Sequence, residues 1–228
     1  MTRILLIENN DDGAEPERIR QFLDRTGRGY RVVRPYRGDP VPRSAEGLDA
    51  AVIYGGVQEI YQTDRYPFLA DEHAFAVDAV ARGVPLLGLC LGAQCIAYAH
   101  GAEVAPHPEG VKEFGYYPII PTEAGRDLLP EAMVMPQWHG HGFAIPEGAE
   151  RLAGSALYPN QAFRMGSAWA FQFHPEVTPD RMRRWQAHPD APWTAPGAQP
   201  LAEQEALMAA HDLAIAAWFD AFLTRFFP

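Results

Sequence analysis

The sequence predicts an α/β protein in which a parallel sheet is extended by antiparallel strands, and three observations point there. Apolar runs of strand length alternate with amphipathic helical segments through the first half of the chain. Gly83 to Ala102 then runs 20 residues without Asp, Glu, Lys or Arg, with Pro85, glycines, Gln94 and His100 inside it. That length could span a bilayer, but its polar and helix-breaking residues fit a buried strand, turn and helix better. Beyond residue 103 the apolar runs shorten and are split by Pro and Gly, as in mixed or antiparallel strands.

Taken in order, Arg3 to Glu8 is a strand and Asn9 to Gly13 a polar loop. Glu15 to Arg25 carries Ile19, Phe22 and Leu23 on one helical face. Tyr30 to Tyr36 reads as a second strand, and Leu48 to Tyr54 as a third that ends at Gly55-Gly56. Phe68 to Arg82 is a helix with Leu69, Ala76, Val77 and Val80 turned inward. Pro85 to Leu89 is a fourth strand running into Cys90-Leu91-Gly92. Tyr116 to Ile120, Ala132 to Met135 and Ala168 to Phe173 are strands of the second half. Thr178 to Gln186 is a short helix, His188 to Pro200 a Pro-rich connector, and Leu201 to Phe226 a closing helix. The expected organisation is one domain over residues 1–187, with the connector and final helix, 188–228, packed on it.

Composition narrows the function classes. With 47% apolar and 21% charged residues the chain can bury a sizeable core. A net charge of −10 argues against a sequence-independent grip on nucleic acid. Cys90 and Cys95 are too few and too close for a disulfide framework, which fits a reducing compartment. The apolar stretch at the N-terminus is too short for a signal peptide. The expectation is a cytoplasmic protein with no membrane or nucleic-acid partner. Lys112 is the single lysine.

The sharpest local signal is Gly88-Leu89-Cys90-Leu91-Gly92-Ala93-Gln94, where an apolar strand enters a G-x-C-x-G turn and a helix leaves it. This is nucleophile-elbow logic with sulfur in place of oxygen. A cysteine at a helix N-terminus has its thiolate stabilised by unpaired N–H groups, and the Leu91 N–H can donate to an oxyanion. The structural alternative is a small buried hydrophobe, which is the better reading for Cys95. The second signal is Phe171-Gln-Phe-His174-Pro175-Glu176. In an extended segment residues two apart point the same way, so Glu176 could hold the His174 imidazole as a general base for Cys90. The third is Tyr54-Gly55-Gly56-Val57 at a strand end, where backbone N–H groups of Gly56 or Val57 can approach a ligand. A competing constellation is His139 and His141 with His174 as a three-imidazole zinc site. It rests on a weak H-x-H pattern, and no metal is assigned.

Together these residues resemble the class I, triad-type glutamine amidotransferase family, most closely its stand-alone members similar to the glutaminase domain of GMP synthase. The match also takes in Lys112-Glu113-Phe-Gly115, Trp138-His-Gly140 and Pro159-Asn-Gln-Ala-Phe163. The resemblance implies an open, mostly parallel, flavodoxin-like sheet with helices on both faces. It also implies thiol-dependent attack on a γ-glutamyl amide without a cofactor. By the same match Cys90 is nucleophile, His174 general base and Glu176 its orienter. Gly56 and Leu91 form the oxyanion hole, and Gly55, Val57 and Gln94 contact substrate. Two departures bear on substrate. Val57 follows Gly-Gly where relatives carry Pro, and His141 stands where they carry Asp. Three functions are weighed: a free-standing γ-glutamyl hydrolase, which is preferred; a glutaminase subunit feeding ammonia to a separate synthetase; and a non-catalytic regulator on the same fold. The final helix is read as a lid on the core, with a homodimer contact left open.

Overall fold

Ile4, Leu5, Leu6 and Ile7 are all buried, yet they serve two cores. Ile4 and Leu6 pack with Phe22 and Leu23 on one side of the sheet, while Leu5 and Ile7 pack with Leu69 and Phe75 on the other. Successive strand side chains point to opposite faces, so a strand covered on both sides must be apolar throughout. The computed structural model of the chain describes residues 3–11 and 17–227. In chain order the elements are β1 (Ile4–Ile7), α1 (Arg18–Arg25), β2 (Tyr30–Val33), a 3-10 turn (Pro35–Arg37), β3 (Ala50–Ile53), α2 (Phe68–Arg82), β4 (Leu86–Leu89), α3 (Leu91–Ala99), β5 (Val104–Pro106), β6 (Glu113–Pro121), β7 (Met133–His139), β8 (His141–Phe143), β9 (Glu150–Gly154), β10 (Ala162–Met165), β11 (Ala168–Phe171), α4 (Pro179–Gln186) and α5 (Leu201–Phe226).

The main sheet has the order β2-β1-β3-β4-β11-β10-β9-β6-β7. The block from β2 to β11 is parallel, and the pairs from β11 outward to β7 are antiparallel. β5 and β8 form a separate two-stranded ladder. The order β2-β1-β3-β4 is that of a flavodoxin-like, doubly wound sheet, whose ligands bind outside the carboxyl ends of the parallel strands. Helices α1 and α5 cover one face, α2 and α3 the other. The uncharged run from Gly83 is β4, the elbow and α3.

Several expectations shift by a few residues for local reasons. The second strand stops at Val33 instead of reaching Tyr36, because Pro35 brings a fixed φ and no N–H and opens the 3-10 turn. The first helix was expected from Glu15; Glu15 and Pro16 lie outside the described residues, and the helix seen begins at Arg18 behind a Glu17 cap. Val77, expected inward, is 43% exposed. The buried line of α2 runs through Leu69, Glu72, Phe75, Ala76 and Ala79, one step round the helix from Val77. The inward place is taken by a carboxylate, Glu72.

The connector 188–200 holds no regular element, yet it fastens the open side of β6. Lys112 N–H donates to Pro196 O at 2.8 Å. The Gln199 side chain accepts from Tyr116 N–H at 2.6 Å and donates to Tyr116 O at 2.7 Å, as a neighbouring strand would. By length and composition α5 could cross a bilayer. Here its Met208, Ile215, Phe219, Phe222 and Phe226 are buried against the sheet, and Asp212 and Asp220 pair with Arg18 and Arg25 of α1.

Candidate active site

Cys90 sits between the end of β4 and the first residue of α3 with φ 51° and ψ −105°, the only non-glycine residue of positive φ among the described residues. Such a conformation costs on the order of 1–3 kcal/mol and persists only when the surroundings enforce it. Here they do. Cys90 N–H donates to Phe171 O at 2.8 Å on the neighbouring strand, and Cys90 O accepts from Gln94 N–H at 3.0 Å. The flanking glycines are obligatory: a Cβ on Gly88 would overlap Gly92 O, and a Cβ on Gly92 would overlap Ile53 O. Leu91, as the first helical residue, carries an N–H without a partner inside the helix.

His174 and Glu176 come together, though not through the extended segment expected. β11 ends at Phe171, and residues 174–177 form a turn closed by Val177 N–H to His174 O at 3.2 Å, with Pro175 second in the turn. The turn brings His174 Nδ1 to 2.7 Å from Glu176 Oε1, both residues buried. His174 Nε2 has no hydrogen-bond partner among the described residues. Both His174 Cε1 and Cys90 Cβ lie against Gly55, at 3.1 and 3.4 Å from where a Cβ would stand. Burial opposes a charged His174, but the charges of Glu176 and Cys90 outweigh it and raise the imidazole to about 10. Sequence reasoning missed the brace behind this turn. Arg18 of α1, itself buried, donates to Pro175 O at 3.1 Å, to Val177 O and to Asp212, and its N–H donates to Glu176 O at 3.1 Å.

The Gly55-Gly56 loop is pinned just as closely. A Cβ on Gly56 would stand 2.8 Å from both Leu91 Cδ2 and Asn9 Cβ. Gln58 Nε2 donates to Asn9 O at 3.0 Å, and Asn9 Nδ2 donates to Tyr54 O at 3.2 Å and Glu72 Oε2 at 3.3 Å. Burial raises the Glu72 carboxyl to about 8, with only the Asn9 hydrogen bond opposing. Between the ordinary value near 4.5 and about 8 the folded state holds a proton that the unfolded state sheds. This contribution is complete below that window and lost as pH rises through it. Glu72→Gln should therefore leave the melting temperature little changed at pH 5 and raise it at pH 9, by several kcal/mol of stability at about 1.4 kcal/mol per pKa unit. Equal shifts at both pH values would remove the buried-carboxylate explanation.

The elbow, the turn and the Gly-Gly loop open onto a cavity of about 630 Å³ at the C-terminal edge of the parallel strands, within the range of small-molecule sites. Trp185 stands edge-on to His174 at 4.8 Å, and Trp138 packs against Trp185 at 5.5 Å. Gln94 lines the cavity, but its amide nitrogen is engaged by Gln172 Oε1 at 3.1 Å and His141 O at 3.4 Å. Val57 is at the mouth, 79% exposed. The three imidazoles do not converge on a metal. His139 Nε2 lies 2.9 Å from Glu113 Oε2, its Nδ1 lies 2.8 Å from His141 O, and His141 Nε2 lies 3.1 Å from Tyr61 Oη.

A cysteine on a strained elbow, beside a carboxylate-held histidine at the edge of a doubly wound sheet, defines an α/β protein of the nucleophile-elbow type. Residues 14–185 match the glutamine amidotransferase class-I family, and the chain belongs to it. It is 34% identical over 163 residues to the glutamine amidotransferase-like protein YfeJ of Salmonella typhimurium, covering 66% of this chain and 67% of that one. It is 32% identical over 158 residues to the glutamine-hydrolyzing GMP synthase of Porphyromonas gingivalis, covering 65% of this chain and 28% of that enzyme. The chain thus spans little more than a quarter of the GMP synthase. Among solved structures, a glutamine amidotransferase from Thermotoga maritima superposes with a TM-score of 0.86 at 27% identity, over 99% of this chain and 97% of that one. Another, from Methylobacillus flagellatus, gives 0.89 at 25% identity over 99% and 94%.

Proposed function

We propose that the protein hydrolyses a γ-glutamyl amide through a thioester on Cys90. The observation that carries this reading is the 2.7 Å contact between His174 Nδ1 and Glu176 Oε1, which leaves Nε2 for the elbow cysteine. The Cys90 sulfur attacks the γ-carbonyl carbon, and the oxyanion is received by the N–H groups of Gly56 and Leu91. His174 passes its proton to the leaving nitrogen, the C–N bond breaks, and ammonia or an amine departs. Water then gives a proton to His174 and its oxygen to the acyl carbon; the C–S bond breaks and glutamate leaves.

A second reading, supply of ammonia to a separate synthetase, is favoured by the match to part of a GMP synthase. The deciding experiment measures glutamate release from glutamine and from a γ-glutamyl dipeptide, before and after iodoacetamide. Cys95 is fully buried, and burial with the nearby Glu72 charge pushes its thiol well above the usual range, so alkylation reports on Cys90. Release lost on alkylation is expected, and the faster substrate identifies the leaving amine. Release that survives full alkylation overturns the mechanism. Turnover that requires an added synthetase favours the second reading.

A further inference from the structure

Charged side chains line the cavity outside the His174–Glu176 pair as well as within it. His174, which must protonate the leaving nitrogen, is flanked by Trp185, so the amine leaves on that side. The rest of the acyl group runs the other way, toward Gln94 and the His141 carbonyl it touches. At that end stand Glu59 and Lys112, which both line the cavity. Each is close enough to bear on the His141 imidazole, Glu59 favouring its charged form and Lys112 opposing it.

Glu59 is half-buried and fixed: its Oε2 accepts from Gln62 Nε2 at 2.9 Å. The Lys112 stem lies along Gly140, where a Cβ would stand 3.1 Å from Lys112 Cγ. The position is thus kept clear by a glycine. Neither charge belongs to an ion pair among the described residues, with each other or with any third group. Two unpaired, opposite charges at one end of a cavity suit a ligand that carries both signs on adjacent groups.

We propose that Glu59 and Lys112 are specificity-determining residues that read the free α-amino acid head of the substrate, Glu59 taking the α-ammonium and Lys112 the α-carboxylate. The proposal rests on the hydrolase reading for the direction in which the acyl chain lies. It makes the substrate a γ-glutamyl compound with both α groups free, and disfavours a glutamine held inside a peptide, whose α groups are amides.

The test is calorimetric binding to the full chain carrying Cys90→Ala, so that no turnover intervenes. Three amides are titrated: L-glutamine, glutaramate, which lacks the α-amino group, and 4-aminobutanamide, which lacks the α-carboxylate. L-glutamine should bind tightest. Adding Glu59→Gln, which keeps an acceptor for Gln62, should weaken L-glutamine about tenfold and leave glutaramate unchanged. Adding Lys112→Met, which keeps the stem over Gly140, should weaken L-glutamine about tenfold and leave 4-aminobutanamide unchanged. Equal weakening of all three ligands, no weakening, or no binding of L-glutamine each overturn the assignment. Glutamate release by the wild-type chain is read in parallel. Selective binding without release removes the hydrolase reading and keeps the recognition, whereas release that is indifferent to both substitutions does the reverse.

Discussion

Cys90→Ala should lower kcat for γ-glutamyl amide hydrolysis by on the order of 10⁴-fold or more and leave the protein folded. The sulfur is the proposed nucleophile, and the Ala methyl offers no atom that can carry the acyl group. Packing gives little reason for unfolding, because the Sγ contact with Trp138 O is a long one of 3.9 Å. The backbone strain stays: φ of 51° is disfavoured for any residue with a Cβ, and Ala inherits it. Cys90→Gly should therefore be as inactive as Cys90→Ala yet melt at a higher temperature, by up to about 1–3 kcal/mol of relieved strain less the entropy that glycine adds to the unfolded chain. Glutamate release compared with thermal melting for the three proteins checks both parts. Turnover near wild type in either variant would end the thiol mechanism. A glycine variant that melts below the alanine variant would mean that the elbow is not strained.

What could be read from the sequence was what lies close along the chain. The elbow is a contiguous signal, because Gly88, Cys90 and Gly92 meet one another within five residues, and only glycine clears the carbonyls of Gly92 and Ile53. The partnership of His174 with Glu176 was equally local, though it comes from a turn around Pro175 and not from strand alternation. The inner parallel strands β1, β3 and β4 announced themselves through runs without a polar side chain, since both faces are covered. The rest depends on partners far away in sequence. Nothing near Arg18 says that it reaches the carbonyls of Pro175 and Val177, 157 and 159 residues on. Asn9 looks like a loop residue until its side chain is seen between Tyr54 and Glu72. Glu72 reads as the wet side of a helix because a carboxylate is seldom buried unpaired; only the packing of α2 against α3 and β4, with the Asn9 side chain beside it, puts it inside. Lys112 and Glu59 are 53 positions apart and share an environment only because the loop after β3 and the start of β6 meet across the cavity. Val57, by contrast, is placed by adjacency alone: it follows Gly56 at the cavity mouth, with its side chain 79% exposed.

Glu176→Gln should reduce kcat by about 10³–10⁴-fold with a smaller change in KM, the scale seen when the orienting carboxylate of a nucleophile–histidine relay becomes an amide. The carboxylate can only accept, so it holds the Nδ1–H of the charged His174 ring and leaves Nε2–H for Cys90 and the leaving nitrogen. An amide can present N–H instead, which cannot pair with Nδ1–H, so the imidazolium that partners Cys90 is no longer held. The charge is lost as well, and with it the main influence that keeps the imidazole raised to about 10 against burial. This loss has its own signature in stability. Unfolded, the imidazole titrates near 6.5. Below that pH it is charged in both states and the ion pair contributes in full. Between about 6.5 and 10 only the folded state keeps the proton, so the contribution declines as pH rises and is gone above about 10. The melting temperature of wild type should exceed that of Glu176→Gln most near pH 6, and the two should converge toward pH 10. A kcat loss without that convergence would mean that the carboxylate acts by geometry alone; convergence without a kcat loss would make Glu176 a structural group and leave His174 without its proposed orienter.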